Sequence, residues 1–156
     1  MMKAFRSSSS EETKRFGHEM AEKLVQKPGK KAVVIALQGD LGAGKTTFTQ
    51  GFFRGLGIRR SPISPTFVLM RRYPYRHHGF LDIYHIDAYR LSGAAAAAAI
   101  EMDKILKDPK SIVLVEWPEK IKDILPRGAV RLDFIHGKNE NERTIKIKSG
   151  FPRARE

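Results

Sequence analysis

The sequence predicts an α/β fold, because segments with strand character and segments with helix character follow one another along most of its length. The strand-like segments, recognised by apolar runs or by alternation, are residues 3–6, 32–37, 67–73, 80–89, 112–115, 131–135 and 144–148. Two sets of apolar residues at i, i+4 and i+8 predict helices, and they are Phe16, Met20 and Leu24, then Phe48, Phe52 and Leu56. The polar residues between the last two strands predict a C-terminal β-hairpin.

The helices have recognisable start and stop signals. Ser9 and Glu12 have the spacing of a capping box with Ser9 as the N-cap, and the first helix ends before Pro28. Gly57 ends the second helix, and residues 100–107 form a short third helix that Asp108 and Pro109 close.

The strongest motif lies between the strand-like residues 32–37 and the second helix. It reads Gly39-Asp40-Leu41-Gly42-Ala43-Gly44-Lys45-Thr46 and fits the phosphate-binding loop, in which four free positions separate two glycines. The glycines allow a tight turn that brings backbone N–H groups close to phosphates. Lys45 supplies a point charge for the outer phosphates, and Thr46 supplies a hydroxyl ligand for Mg²⁺. The strand before the motif and the helix after it are the context that this loop requires.

Two further expectations concern packing. Gly51 and Gly55 lie inside the second helix, where each costs about 1 kcal/mol relative to alanine, so we expect this helix to pack closely on the sheet. Lysines on the last strand suit an exposed edge of the sheet, and residues 3–6 are short enough for an edge strand.

Two acids follow apolar strands. Glu116 comes directly after residues 112–115, at the carboxyl end of an apolar strand. Nucleotide-binding folds place an acidic residue of the Mg²⁺ site at such an end, and ligands of open α/β sheets bind there. A strand cap is the alternative, but the phosphate loop in the same chain favours the metal site. Asp87, near the end of residues 80–89, is either a candidate catalytic residue or a strand-end cap.

Two prolines give residues 61–66 an extended, rigid loop. Ser64, Pro65 and Thr66 are therefore either a switch segment or an ordinary connection. His77 and His78 favour a solvated turn over a metal site, because no further ligands lie at a usable spacing.

Composition narrows the class of protein. The 156 residues suit one domain, residues 1–148, followed by a loose tail, residues 149–156. The absence of cysteine excludes disulfides and thiolate metal sites. With neither a membrane-length apolar run nor an apolar signal segment, a cytoplasmic protein is expected. The net charge of +12 favours anionic partners such as nucleic acid, and a merely solvated lysine-rich surface is the alternative.

Five segments together resemble one family, the TsaE (YjeE) family, which is the small ATPase subunit of the bacterial tRNA threonylcarbamoyladenosine machinery. The segments are residues 11–13, 39–48, 64–67, 84–91 and 115–117. A phosphate loop alone is shared by very many proteins, whereas the combination with Ser-Pro-Thr, His-x-Asp-x-Tyr-Arg-Leu and Glu-Trp is specific. Ala94–Ala99 depart from the family, which has a proline and acidic residues there, so the role of that acidic stretch does not carry over.

The resemblance implies a P-loop NTPase-like three-layer fold with a mixed, mostly parallel sheet. It implies that the chain binds ATP and Mg²⁺ and hydrolyses ATP slowly, with stimulation by partners. Those partners are a Kae1/TsaD-type transferase and a TsaB-type companion, which modify an adenosine beside the tRNA anticodon, and tRNA is reached through the complex.

The resemblance also assigns roles by position. The residues of the loop, with Thr47, bind the nucleotide, and Lys45 holds the phosphates. Thr46 and Glu116 serve Mg²⁺, while Asp87 and Trp117 are needed for activity. Glu11 and Thr13 lie near the nucleotide base in such proteins.

The function expected from these observations is that of an ATPase acting as an accessory subunit in tRNA modification. A small-molecule phosphotransferase on the same loop is one rival, and it would need an acceptor pocket with a base and anion clamps. The other is a nucleotide-gated binding subunit whose hydrolysis is incidental.

Overall fold

The computed structural model describes residues 3–40, 42–60, 62, 70–91 and 101–149. The strands are β1 (Lys3–Ser7), β2 (Val33–Gly39), β3 (Met70–Pro74), β4 (Asp82–Asp87), β5 (Ser111–Glu116), β6 (Val130–His136) and β7 (Arg143–Ser149). The helices are α1 (Ser10–Leu24), α2 (Lys45–Gly55) and α3 (Met102–Lys107), with 3-10 turns at Ala88–Arg90 and Pro118–Lys120.

All seven strands form one mixed sheet in the order β1-β7-β6-β2-β5-β4-β3. The four central strands, β6, β2, β5 and β4, are parallel to one another, and the pairs at both edges are antiparallel. Because parallel strands end at the same edge, the loop after β2 lies beside the carboxyl ends of β5 and β4. The predicted α/β class, the mixed sheet and the C-terminal hairpin of β6 and β7 are confirmed.

Helices cover both faces of the sheet and give it three layers. The alternation of β2 and β5 directs Ile35 and Leu114 toward α1 and α2, in one buried cluster that includes Phe48. It directs the neighbouring positions, such as Val34 and Val113, into a second cluster with α3. Strands buried on both faces explain why β2 and β5 are continuous apolar runs in the sequence.

The first helix begins as predicted. The Ser9 side chain accepts a hydrogen bond of 3.2 Å from the N–H of Glu12, and the Glu12 carboxylate accepts one of 2.8 Å from the N–H of Ser8. Both halves of the capping motif are present, although Glu12 reaches one residue beyond the N-cap.

Two packing expectations are wrong. The glycines of α2 face α1 and not the sheet: a Cβ at Gly51 would overlap the carbonyl of Lys14, and a Cβ at Gly55 would lie 2.6 Å from the carbonyl oxygen of His18. The last strand is not an edge, since β1 pairs along its full length and leaves β1 outermost. Lys148 instead forms a 2.9 Å salt bridge with Asp133 on β6.

The second predicted hairpin, formed by β3 and β4, is confirmed, but its strands begin and end at other residues than predicted. The strand β4 stops at Asp87 and does not continue to residue 89, because the Asp87 carboxylate accepts the N–H of Tyr89 at 3.0 Å and starts a 3-10 turn. His77 and His78 lie in an exposed turn, and the described part of the chain holds no group of three or more metal-binding side chains.

Several predicted features lie outside the described residues. They are Leu41, Ser61 and residues 63–66 of the predicted loop, residues 67–69 of the predicted strand, Ala94–Ala99, residue 100 of the predicted third helix and residues 150–156 of the tail. Within the described ranges, no helix has the length and apolar character needed to cross a membrane.

Candidate nucleotide-binding site

The phosphate loop joins the end of β2 to the start of α2. Gly42 and Gly44 have φ values of +77° and +106°, which a side chain would strain, so the loop depends on glycine at both positions. Gly44 is also the N-cap of α2 and provides no side chain to the first turn of the helix. The N–H groups of that turn therefore remain available to an anion at the helix N-terminus.

Lys45 lies across the mouth of this loop. Its ammonium donates a 2.7 Å hydrogen bond to the carbonyl of Gly39 and lies 4.3 Å from the ring centroid of Trp117. The side chain is 6% exposed. The ammonium of a lysine at an ordinary surface site is fully hydrated. The ammonium of Lys45 has instead exchanged part of its hydration for one carbonyl oxygen and one ring face.

Burial lowers the pKa of Lys45 below its ordinary value. Four acids around it oppose that effect and favour the charged form, and they are Glu116, Glu119, Asp87 and Asp40. The loop therefore places a partly desolvated cation near several carboxylates, an arrangement typical of functional sites.

Glu116 and Asp87 lie at the ends of neighbouring parallel strands and are direct partners in the register of β5 and β4. A Glu116 oxygen lies 3.1 Å from Nε2 of His85, which is 3% exposed. Asp87 is also buried and caps the 3-10 turn through the N–H of Tyr89. Both carboxylates thus have a fixed orientation, and the strand-cap interpretation of Asp87 is correct as far as its hydrogen bond goes.

Thr46 is exposed in the first turn of α2, and Thr47 lies beside it. Thr47 and Gly44 line a small cavity of about 30 Å³ together with Thr13 from α1. The Thr13 hydroxyl lies 2.7 Å from that of Ser7 and is buried, whereas Glu11 extends to Lys14 at 3.6 Å and does not line the cavity. The structure therefore brings Thr13, but not the Glu11 side chain, to the loop.

Arg143, the first residue of β7, lies against the phosphate loop. Its guanidinium donates to the carbonyl of Gly42 at 3.0 Å, and also to the carbonyls of Glu140 and Glu142. The C-terminal hairpin is thereby tied to the loop.

An aromatic contact connects Lys45 to the surface. The Trp117 ring meets Tyr89 edge to face with centroids 5.2 Å apart, and Tyr89 is 59% exposed. The Lys120 ammonium lies 5.6 Å from the Tyr89 centroid. Trp117 itself has φ +58° and ψ +49°, a left-handed backbone that turns the chain sharply after Glu116.

The model of the family described as Threonylcarbamoyl adenosine biosynthesis protein TsaE matches residues 7–145. This match spans the loop, both acids and Trp117. The chain belongs to the TsaE family. The resemblance inferred from five segments is therefore confirmed.

Relatives from distant bacteria agree with this membership of the TsaE family. The protein of Bacillus subtilis named tRNA threonylcarbamoyladenosine biosynthesis protein TsaE is 38% identical over 141 residues, covering 90% of this chain and 82% of its own length. The protein of the same name from Haemophilus influenzae is 39% identical over 120 residues, covering 77% and 73%. The crystal structure of Bacillus subtilis YdiB has a TM-score of 0.75 at 30% identity and covers 97% of this chain and 87% of its own.

The sequence assigned no role to two side chains of this TsaE-family site. His85 belongs to the His-x-Asp-x-Tyr-Arg-Leu segment and shares a strand face with Asp87, but its contact with Glu116 was not predicted. Arg143 reaches Gly42 across 101 positions of sequence, for which no local pattern exists. Ser64, Pro65 and Thr66 lie outside the described residues, so their predicted switch role stays a prediction.

Proposed function

We propose that this chain binds ATP with Mg²⁺, hydrolyses it slowly, and acts as an accessory subunit in the threonylcarbamoyladenosine modification of tRNA. The observation that carries the proposal is Lys45, a mostly buried ammonium at a glycine loop, facing carboxylates at the ends of two neighbouring strands. The names of the relatives support a role in tRNA modification, and the loop motif supports nucleotide binding.

The residues present fit a nucleoside triphosphate. Phosphate oxygens would accept from the N–H groups at the start of α2, and Lys45 would exchange the Gly39 carbonyl for a phosphate oxygen. Mg²⁺ supplies positive charge against the phosphates, and the Thr46 hydroxyl and the Glu116 carboxylate are the oxygen ligands offered to it. His85 holds the Glu116 carboxylate in one orientation.

Asp87 is suited to hold the water that attacks the terminal phosphate. Its carboxylate is oriented by the N–H of Tyr89, is mostly buried, and lies beside Glu116 in the strand register. An oriented carboxylate can accept a hydrogen bond from water and position it, which is the main catalytic demand of phosphoryl transfer.

The state of the site can reach a partner through Trp117. When Lys45 leaves the ring of Trp117 for a phosphate, the ring loses a cation contact and its packing on Tyr89 can change. Tyr89 is exposed, so a transferase of the Kae1/TsaD type with its TsaB-type companion could read that change. This readout would give ATP hydrolysis a role in signalling the state of the site to a partner.

Replacement of Lys45 by alanine tests nucleotide binding. Because a hydrogen bond to a charged group contributes about 1.5–3 kcal/mol, Lys45→Ala should weaken ATP binding roughly 10- to 100-fold in calorimetric titrations. The fold should be retained, because the ammonium of Lys45 is bound by only one carbonyl and one ring face. Lys107→Ala, an exposed change on α3, is the matched control, and equal ATP affinity of all three proteins would contradict the assignment.

Replacement of Glu116 by glutamine tests the metal site. Glu116→Gln keeps the size of the side chain but removes its charge, so Mg²⁺-dependent hydrolysis should fall more than ATP affinity falls. Asp103→Asn, an exposed acid on α3, makes the same change in net charge far from the loop. If hydrolysis and its dependence on Mg²⁺ are the same in Glu116→Gln and in the parent, Glu116 is only a strand cap.

The contact between Lys45 and Trp117 favours a second candidate, a nucleotide-gated binding subunit whose hydrolysis is incidental. The two candidates differ in a reconstituted modification assay with a variant that binds ATP but does not hydrolyse it. Full modification by Glu116→Gln would favour gating alone, whereas lost modification would require hydrolysis.

A further inference from the structure

A basic groove lies away from the phosphate loop, between α1, the last turn of α2 and the residues that follow α2. It has a volume of about 710 Å³. Its cationic lining residues are Lys14, Arg54, Arg59 and Arg60. These four residues define the basic groove.

The positive charge of this groove is largely uncompensated. Arg54, Arg59 and Arg60 are exposed, and none of them forms a salt bridge with any described residue. Lys14 has one acidic neighbour, Glu11, at 3.6 Å. A concave surface with four cations and one acid attracts polyanions, because a low-dielectric wall focuses the field.

The groove is separate from the nucleotide site. The phosphate loop ends in the first turn of α2, whereas Arg54 lies in the last turn of that helix. A helix of 11 residues is roughly 16 Å long at about 1.5 Å per residue. No residue lining the groove lines the small cavity at Gly44 and Thr47.

Arg54 has an ordinary structural role as well, since a cation in the last turn of a helix complements the helix dipole. That role does not extend to Arg59 and Arg60, which follow the glycine that ends α2. Two adjacent, exposed arginines beyond the helix therefore need another explanation.

We infer that the basic groove binds the phosphate backbone of RNA, and that the RNA is the tRNA of the proposed function, on which this choice of RNA rests. The guanidinium group fits phosphate oxygens with two parallel hydrogen bonds, and such contacts are independent of base sequence. Among the lining residues that the structure describes, only Ile58 and Pro62 are apolar and none is aromatic. Protein-binding surfaces have an apolar or aromatic centre, so the lining favours RNA over an acidic protein.

The test measures tRNA binding by the full-length chain as a function of salt, using an unmodified tRNA transcript as the probe. The groove variant combines Arg54→Gln, Arg59→Gln and Arg60→Gln. The matched control combines Lys104→Gln, Lys107→Gln and Lys110→Gln, which removes three exposed cations on and just after α3, on the other face of the sheet. Both variants have the same net charge, and thermal unfolding with ATP hydrolysis shows whether each is folded.

The groove variant should bind tRNA at least about tenfold more weakly than the parent, with a salt slope smaller by about 2 to 3, since each lost phosphate contact removes roughly 0.7–0.9 from the slope. The control should bind like the parent. Equal losses in the two variants would show attraction by net charge alone and overturn the inference. Parental tRNA binding by the groove variant would also overturn it, and if that variant lost an acidic partner protein instead, the groove would be a protein surface.

Failure of the proposed function gives a different result. A parent chain that does not hydrolyse ATP but binds tRNA through Arg54, Arg59 and Arg60 would contradict the ATPase proposal and leave the groove intact. A parent chain that hydrolyses ATP and binds no tRNA would contradict the groove alone.

Discussion

The contact between Lys45 and Trp117 would make the proposed site sensitive to a bound phosphate. The ammonium of Lys45 lies 4.3 Å from the ring centroid of Trp117 and bonds to one carbonyl, so a bound phosphate competes with both contacts. Trp117 follows directly after Glu116 and has a left-handed backbone conformation. A change in the position of the Lys45 ammonium would therefore alter the surroundings of the Trp117 ring, beside the Glu116 carboxylate.

The fluorescence of Trp117 should report that change. Trp117 is the only tryptophan of the chain, so its emission is observed without interference. Adding ATP with Mg²⁺ should produce a saturable change in emission, because Lys45 leaves the ring. In Lys45→Met, which has no ammonium to move, the change should be much smaller at equal saturation; an undiminished change would show that Lys45 does not couple the loop to Trp117.

The lowered pKa of Lys45 predicts how stability without nucleotide depends on pH. Because the pKa is lower in the folded chain than its ordinary 10.5, the unfolded chain binds more protons over the interval below 10.5, and stability rises with pH there. The parent should therefore gain stability relative to Lys45→Met as the pH rises toward 10.5, which urea unfolding measures. A difference between the two proteins that does not change with pH would mean that burial of Lys45 carries no cost.

At the scale of single residues, the sequence identified the groups that a local pattern marks. Lys45 is fixed by the glycine loop, and Glu116 is marked by the apolar strand before it. The contacts of His85 and Arg143 were missed because their partners lie 31 and 101 residues away, and those contacts exist only once strands have paired. The spacing of residues within one segment does not show which distant segment will lie beside it in the fold.

The helices α1 and α2 approach closely because glycines replace side chains between them. A Cβ at Gly51 would overlap the carbonyl of Lys14, and a Cβ at Gly17 would overlap the carbonyl of Phe48. Since α2 begins at the phosphate loop and α1 provides Thr13 beside it, this close contact fixes the two elements that shape one side of the site.

Gly51→Ala should therefore destabilise the protein. The Cβ meets rigid backbone and not the end of a flexible side chain, and overpacking of this kind costs about 1–3 kcal/mol, more than the roughly 1 kcal/mol that alanine gains in a helix. Gly29→Ala is the control, because nothing lies within 4 Å of the added Cβ, and its effect should stay within about 0.5 kcal/mol. Unfolding in urea measures both changes; a Gly51→Ala protein as stable as the parent would show that the helices can separate at no cost.

The sequence predicted the positions of the helices and strands better than it predicted which elements pack against one another. Buried runs identified β2 and β5, and the capping box identified the start of α1 at Ser9. The two packing errors have one cause: the periodicity of a segment shows that it has an apolar face but not which element covers it. Thus Gly51 faces α1, although packing on the sheet was expected. Likewise, β1 pairs with β7, although the lysines of β7 suggested that it was the edge strand.

At the scale of the whole molecule, the parallel centre of the sheet gathers the functional groups at one edge. β2 ends in the loop, β5 ends in Glu116 and β4 ends in Asp87, so three segments far apart in sequence meet there. Trp117 and Tyr89 extend this edge to the surface, where a partner can bind. The central claim is that nucleotide turnover at this edge serves tRNA modification.

Modification of an unmodified tRNA transcript by the transferase and its companion measures this claim most directly. The reaction is run with the parent chain, with Lys45→Ala and without the chain, and ATP hydrolysis is followed in the same mixtures. We expect modification only with the parent, together with hydrolysis that is slow for the isolated chain and faster when the partner pair is present. Full modification in the absence of the chain, with a hydrolysis rate indifferent to the partners, would contradict the account.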